Sequence, residues 1–143
     1  MNSVNKLTCF KAYDVRGKLG EEFNEDIAYR VGRATAQSQN ANTVAVGFDA
    51  RATSPGLADA VAEGICDAGA NVLEIGLSGT EEVYAAVVEF GASAGIEVTA
   101  SHNPIEYNGM KMVGRGSMPL SDKEFKAIKD LANGNNFIQP KKN

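Results

Sequence analysis

Apolar and polar positions along the chain alternate between short unbroken runs and helical periods. The run TVAVGFD (43–49) is apolar, β-branched and bounded by turn residues, so it reads as a buried strand. NVLEIG (71–76) and GIEVTAS (95–101) read the same way, and MKMV (110–113) predicts a further short strand. Between them the period changes to that of a helix. Asn24 is a candidate N-cap, Glu25 and Asp26 suit the first turn, and Ile27, Val31 and Ala34 follow on one face. In the next helical stretch Ser54 is the expected cap, with Pro55 at the first helical position and Leu57, Val61, Ile65 and Ala68 facing inward before Gly69. Thr80 is expected to cap a helix that turns Val83, Ala86, Val87 and Phe90 inward and stops at Gly91. Ser121 and Glu124 form a capping box ahead of Phe125, Ile128 and Leu131.

Strand and helix thus alternate with about 25 residues between strands, the rhythm of right-handed βαβ units. The expected fold is α/β, a three-layer α/β/α single domain around a mainly parallel mixed sheet. It should occupy residues 1–134, and the polar stretch 135–143 reads as a linker-like tail.

Composition narrows the function. With 143 residues, 43% hydrophobic and 22% charged, the chain can bury a real core and is not disordered. Its net charge is −4 and no Lys/Arg stripe appears, so neither nucleic acid nor an anionic membrane is an expected partner. No run is long enough to span a membrane, and the first twenty residues lack a signal-peptide block. Cys9 and Cys66 are too far apart for metal spacing and read as buried free thiols. The expected location is the cytoplasm.

Ligands on open parallel sheets collect at the carboxyl ends of strands. The polar clusters that fall there are Asp49 and Arg51, the GLSGTEE stretch, and Ser101, His102 and Asn103. Arg16 and Gly17, ahead of the first helix, suggest a turn that presents a guanidinium. Ser101 and the single histidine, His102, are adjacent, so in an extended segment they point to opposite faces. That argues against a Ser–His hydrolase pair, and Gly-x-Ser-x-Gly is absent. A phosphoryl group on Ser101 fits better. It would carry about −1.5 to −2 charges and three strong acceptors, and Lys111, Arg16, Arg51, His102 and Asn103 are the available donors. Each residue taken alone also suits a plainer role: a Ser-His-Asn-Pro turn, a solvated lysine, a surface ion pair. Taken together, the structural and anion-site readings stand level.

The stretch TASHNPIEYNGMK resembles the phosphoserine loop of the α-D-phosphohexomutases, the phosphoglucomutase/phosphomannomutase family. FKAYDVRG (10–17) and GFDARATSP (47–55) resemble two further motifs, and the likeness runs from Leu7 to about Phe137. The region around the serine loop is most similar to bacterial phosphomannomutases that supply GDP-mannose. The resemblance implies that Ser101 is phosphorylated in the resting enzyme and passes its phosphoryl group to a hexose phosphate. Mannose 6-phosphate and mannose 1-phosphate would interconvert through a hexose 1,6-bisphosphate. It also implies that Lys111 assists proton movement, that Arg16 faces the reacting phosphate, that His102 neighbours it, and that Tyr13 lies near the sugar. Mg2+ would bind oxygens of the phosphate on Ser101. Members of the family are longer, with four domains, and keep the Asp-Gly-Asp metal loop and sugar selection in the later three. No Asp-Gly-Asp occurs here. The chain is therefore expected to be the first domain, inactive alone and partnered by the remaining domains. A phosphoglucomutase or phosphoglucosamine mutase domain and a non-catalytic anion-binding module are the alternatives.

Overall fold

The computed structural model describes residues 7–11, 14–134 and 137. Five strands and four α-helices follow in the order β1 (Val15–Lys18), α1 (Glu25–Ser38), β2 (Thr43–Phe48), α2 (Ser54–Asp67), β3 (Asn71–Leu77), α3 (Thr80–Phe90), β4 (Ala94–Val98), β5 (Tyr107–Val113) and α4 (Asp122–Gly134). The strands form one mixed sheet in the order β1-β5-β4-β2-β3. Both neighbours of β2 run parallel to it, each reached through a helix, while β5 is antiparallel to β4 and to β1. Parallel and antiparallel pairings are therefore equal in number among the described strands. The antiparallel half arises because the loop after β4 turns straight back into β5 instead of crossing through a helix.

Alternation along each strand assigns the two faces of the sheet. Val15, Val44, Val46, Ile96, Val98, Met110 and Met112 point into one layer, where they meet Val31, Leu57, Val61, Ile65 and Ile128 from α1, α2 and α4. Ala45 and Val113 point the other way and meet Val83 and Val87 of α3. That sandwich is the expected three-layer arrangement. α1 and α2 touch through their backbones. A Cβ on Gly32 would collide with the carbonyl of Val61, and one on Gly64 with that of Tyr29.

Local chemistry sets the helix ends. The Asn24 side chain accepts from the Ile27 N–H at 2.9 Å, and Ser121 and Glu124 exchange both bonds of the capping box. Two caps differ from expectation. Ser54 is the first residue of α2 rather than its cap, because its hydroxyl is drawn to Asp49 at 2.6 Å. Gly79, not Thr80, caps α3, and the Glu82 carboxylate accepts from its N–H at 2.7 Å. Phe90 is exposed rather than inward, at the last turn of α3. Cys9 is buried as expected, and burial pushes its thiol up to about 11, but Cys66 is exposed. β4 is shorter than expected and β5 longer: the chain leaves the sheet after Val98 and returns at Tyr107. Arg16 and Gly17 lie in a strand, not a turn. Of the expected tail 135–143, only Phe137 lies within the described residues; it packs on the large core, with Arg33 4.9 Å from its ring centre.

Candidate functional site

The site begins where β4 ends. Thr99 N–H donates to the Gly109 carbonyl at 2.9 Å, the last bond that ties this segment to β5. The Thr99 hydroxyl then turns back and accepts from the Ser101 N–H at 3.0 Å. Both the N–H and the side-chain amide of Asn103 donate to the Ala100 carbonyl, at 3.0 and 2.7 Å, closing a turn with Ser101 and His102 at its tip. Ser101 has φ +54°, the left-handed region that costs a non-glycine residue about 1–2 kcal/mol. Both tip residues are exposed. The hydroxyl of Ser101 thus stands in solvent on a short, braced and strained turn. Asn103, expected near a phosphate, spends its amide on bracing that turn.

Arg51 holds the same loop from beneath. Its Nη1 donates to the carbonyls of Pro104 and Tyr107 at 2.8 and 3.0 Å, and its Nη2 to those of Ser101 and Asn103 at 3.0 and 2.6 Å. Its Nε faces the Asp49 carboxylate at 3.5 Å. The four terminal N–H donors of the guanidinium are therefore spent on loop carbonyls and Nε lies beside a carboxylate, which leaves no free fork for an anion. Asp49 is fixed in turn by the Ser54 hydroxyl and the Arg51 N–H. The buried Asn108 amide donates to the hydroxyls of Thr53 and Ser54, both at 2.9 Å, which joins β5 to the start of α2.

Strand register shows where the other expected cations lie. Arg16 pairs with Gly109, and Lys111 pairs with Glu97. Gly109 and Lys111 are two apart on β5, so Arg16 and Lys111 occupy the same face of the sheet, the face that α3 covers. Arg16 lies at the level where Thr99 bonds Gly109, two residues short of Ser101. Among the described residues it commits only Nε, to Asp14 at 3.1 Å, and its side chain is 40% exposed. Lys111 is partly buried and, with Asp14 and Tyr84, lines a cleft of about 300 Å³. Among the described residues His102 makes no side-chain bond. Tyr13 lies outside the described residues.

One neighbour in this row was not anticipated from sequence. Glu97, directly across from Lys111 on β4, is 1% exposed. One carboxylate oxygen accepts from the Ser78 hydroxyl at 3.1 Å, and the other has no partner among the described residues. Burial, aided by the nearby Asp49 and Glu82 charges against the Ser78 bond, pushes its carboxyl up to about 7. Gly47, the next residue across on β2, makes the space: a Cβ there would meet the Ser78 hydroxyl and the Glu97 carboxylate.

A larger cleft, about 760 Å³, runs between α1 and α2 and is lined by Glu25, Asp26, Asp59, Glu63 and Asp67. That wall repels a phosphorylated ligand. Among the described residues no three His, Cys, Asp or Glu side chains gather in a metal-binding group. No helix there is long and apolar enough to cross a membrane.

The arrangement is similar to known proteins over almost its whole length. The sequence profile of phosphoglucomutase/phosphomannomutase, alpha/beta/alpha domain I, matches residues 7–139. A phosphomannomutase of Escherichia coli K12 is 55% identical over 135 residues, which are 94% of this chain and 30% of that protein. A phosphomannomutase sequence of Klebsiella pneumoniae is also 55% identical, and the match there covers 86% of the relative. Among solved structures, a phosphoglucomutase/phosphomannomutase family protein of Burkholderia thailandensis superposes with a TM-score of 0.81 at 33% identity, over 98% of this chain and 32% of that one. The chain thus spans about a third or less of the Escherichia coli and Burkholderia proteins. On this match of sequence and fold, the chain belongs to the phosphoglucomutase/phosphomannomutase family and corresponds to its α/β/α domain I.

Proposed function

We propose that the chain is the phosphoserine-bearing first domain of a phosphomannomutase, in which Ser101 carries the phosphoryl group exchanged with a hexose phosphate. The observation that carries this reading is the exposed Ser101 hydroxyl on its strained turn, with Arg16 and Lys111 on one sheet face behind it. The names of the relatives support mannose as the sugar.

In this reading the Oγ–P bond of phosphorylated Ser101 breaks as a sugar hydroxyl oxygen bonds to phosphorus, and the hydroxyl proton leaves. That proton ends on the departing Oγ of Ser101, and Lys111 assists its movement. The terminal nitrogens of Arg16 answer the charge that spreads over the phosphoryl oxygens, the main demand of such transfers. The hexose 1,6-bisphosphate so formed turns over and returns its other phosphate to Ser101. His102 flanks the phosphate without activating the serine. The described residues do not by themselves fit a magnesium site. Magnesium takes several oxygens in octahedral array, and among the described residues no cluster of three His, Cys, Asp or Glu side chains would join the oxygens of a phosphate on Ser101. The remaining ligands and the sugar-selecting contacts belong to the further domains that the relatives' greater length implies.

The test is an intact mass. Mixed with the remaining domains of the Escherichia coli relative and mannose 1,6-bisphosphate, the chain gains one phosphoryl group, and Ser101→Ala gains none. The chain alone shows no mutase turnover. An unmodified wild-type mass would sink the reading, and a group gained equally with glucosamine 1,6-bisphosphate would move the sugar.

A further inference from the structure

Arg51 follows β2, in a different part of the chain from the serine loop, yet its terminal nitrogens reach four carbonyls of that loop, those of Ser101, Asn103, Pro104 and Tyr107. A side chain that presents a flat fork of fixed donors can gather several carbonyls in one plane, which the single point charge of a lysine cannot. The anchorage runs back to the sheet. Asp49 holds Nε, Ser54 holds Asp49, and Asn108 holds Ser54. The Arg51 side chain is only 15% exposed, so this is a supported strut and not a wandering surface group.

The orientation of the peptide units gives the strut a chemical consequence. In a planar trans peptide, C=O and N–H point opposite ways. Drawing the Ser101 and Pro104 carbonyls inward to Arg51 therefore turns the N–H groups of His102 and Ile105 outward. Neither of these N–H groups has an acceptor among the described residues. The amide next to the Ser101 side chain is thus left without an acceptor among the described residues at an exposed turn, the kind of backbone donor that suits a bound oxyanion.

We propose that Arg51 is a positioning residue that clamps the 101–107 loop, keeping Ser101 in its left-handed conformation and the His102 N–H aimed at the reacting group, without itself binding phosphate. The inference deepens the reading of Ser101 as phosphoryl carrier and rests on it for its catalytic meaning. Its structural half stands independently.

The test compares wild type with Arg51→Lys and Arg51→Ala. Amide hydrogen exchange is followed on the 143-residue chain, and the rate of Ser101 phosphorylation is followed with the added domains and mannose 1,6-bisphosphate. Arg51→Lys keeps a charge for Asp49, so the chain still folds should Arg51→Ala fail to. Losing the charged bonds should speed exchange of residues 100–108 about tenfold or more. Protection in β2 and β4 should be unchanged, and phosphorylation should fall about a hundredfold. Unchanged exchange in the loop would overturn the clamp, as would a uniform rise across the sheet, which marks general destabilisation. A loosened loop with an undiminished phosphorylation rate would overturn the positioning role. A wild-type chain that takes up no phosphoryl group refutes the Ser101 reading instead, and the exchange data then judge the clamp alone.

Discussion

The two faces of the sheet are built from the same strands and do opposite work. On the face toward α1, α2 and α4, the side chains of β1, β4, β5 and β2 are mostly buried Val, Ile and Met in one continuous cluster, with Phe48 partly buried against it and Asn108 its polar exception. On the face toward α3, the same strands contribute Arg16, Lys111, Glu97 and Gly47, and the apolar cluster is small. A domain of this size needs one well-filled layer to be stable, and it has it. The second layer is thereby free to hold ionisable groups that cost stability. The apolar face makes the fold, and the charged face makes the site proposed above.

Substitutions on the two faces should separate accordingly. The largest stability effect belongs to the apolar face. Ile96→Ala empties space between β2, β5 and the helices and should cost about 2–5 kcal/mol in denaturant unfolding. The 101–107 loop should keep its exchange protection relative to the weakened sheet. Loss of loop protection alone would merge the two faces into one unit.

A smaller effect of opposite sign is expected one residue on. The Glu97 carboxyl sits near 7 in the fold and near 4.5 in the unfolded chain. Between these values the folded state holds a proton that the unfolded state has released. Stability contributed through Glu97 is therefore greatest below about 4.5, falls as pH rises through 7, and is lost above it. Glu97→Gln should be more stable than wild type at pH 8, by up to roughly 3 kcal/mol on a pKa difference of this size, with the gap closing toward pH 4.5. A thermal-melt series across that range checks it. A gap that does not change with pH would mean that Glu97 keeps its charge in the fold.

Much of the first face was legible in the chain, because apolar period and helix caps are local. Asn24, the Ser121–Glu124 box and the inward positions of α1 and α2 lie where the pattern puts them. The second face was harder. Glu97 interrupts an apolar strand and would be assigned to solvent. It is buried because Gly47 and Ser78, distant in sequence, leave it a recess. Arg51 suits an anion ligand by residue type, which reports a donor and not its acceptor. Its partners are backbone carbonyls, which every sequence contains and no motif marks. The left-handed turn at Ser101 was invisible for the same reason, and β1 was missed because four residues with one glycine and two cations carry no strand signal. Ser101, Arg16 and Lys111 were legible as residue types, but only the register of β1, β5 and β4 puts the two cations on one face.

That convergence is most directly measured by a 31P NMR pH titration of the chain phosphorylated on Ser101. A free phosphoserine takes its second charge near pH 6. In the proposed reading Arg16 and Lys111 face that group with the His102 N–H, and the dianion is favoured. The titration should then fall below that value and move back toward it in Arg16→Ala and in Lys111→Ala. A midpoint at or above about 6 that neither substitution shifts would show that the cations and the serine do not share a site.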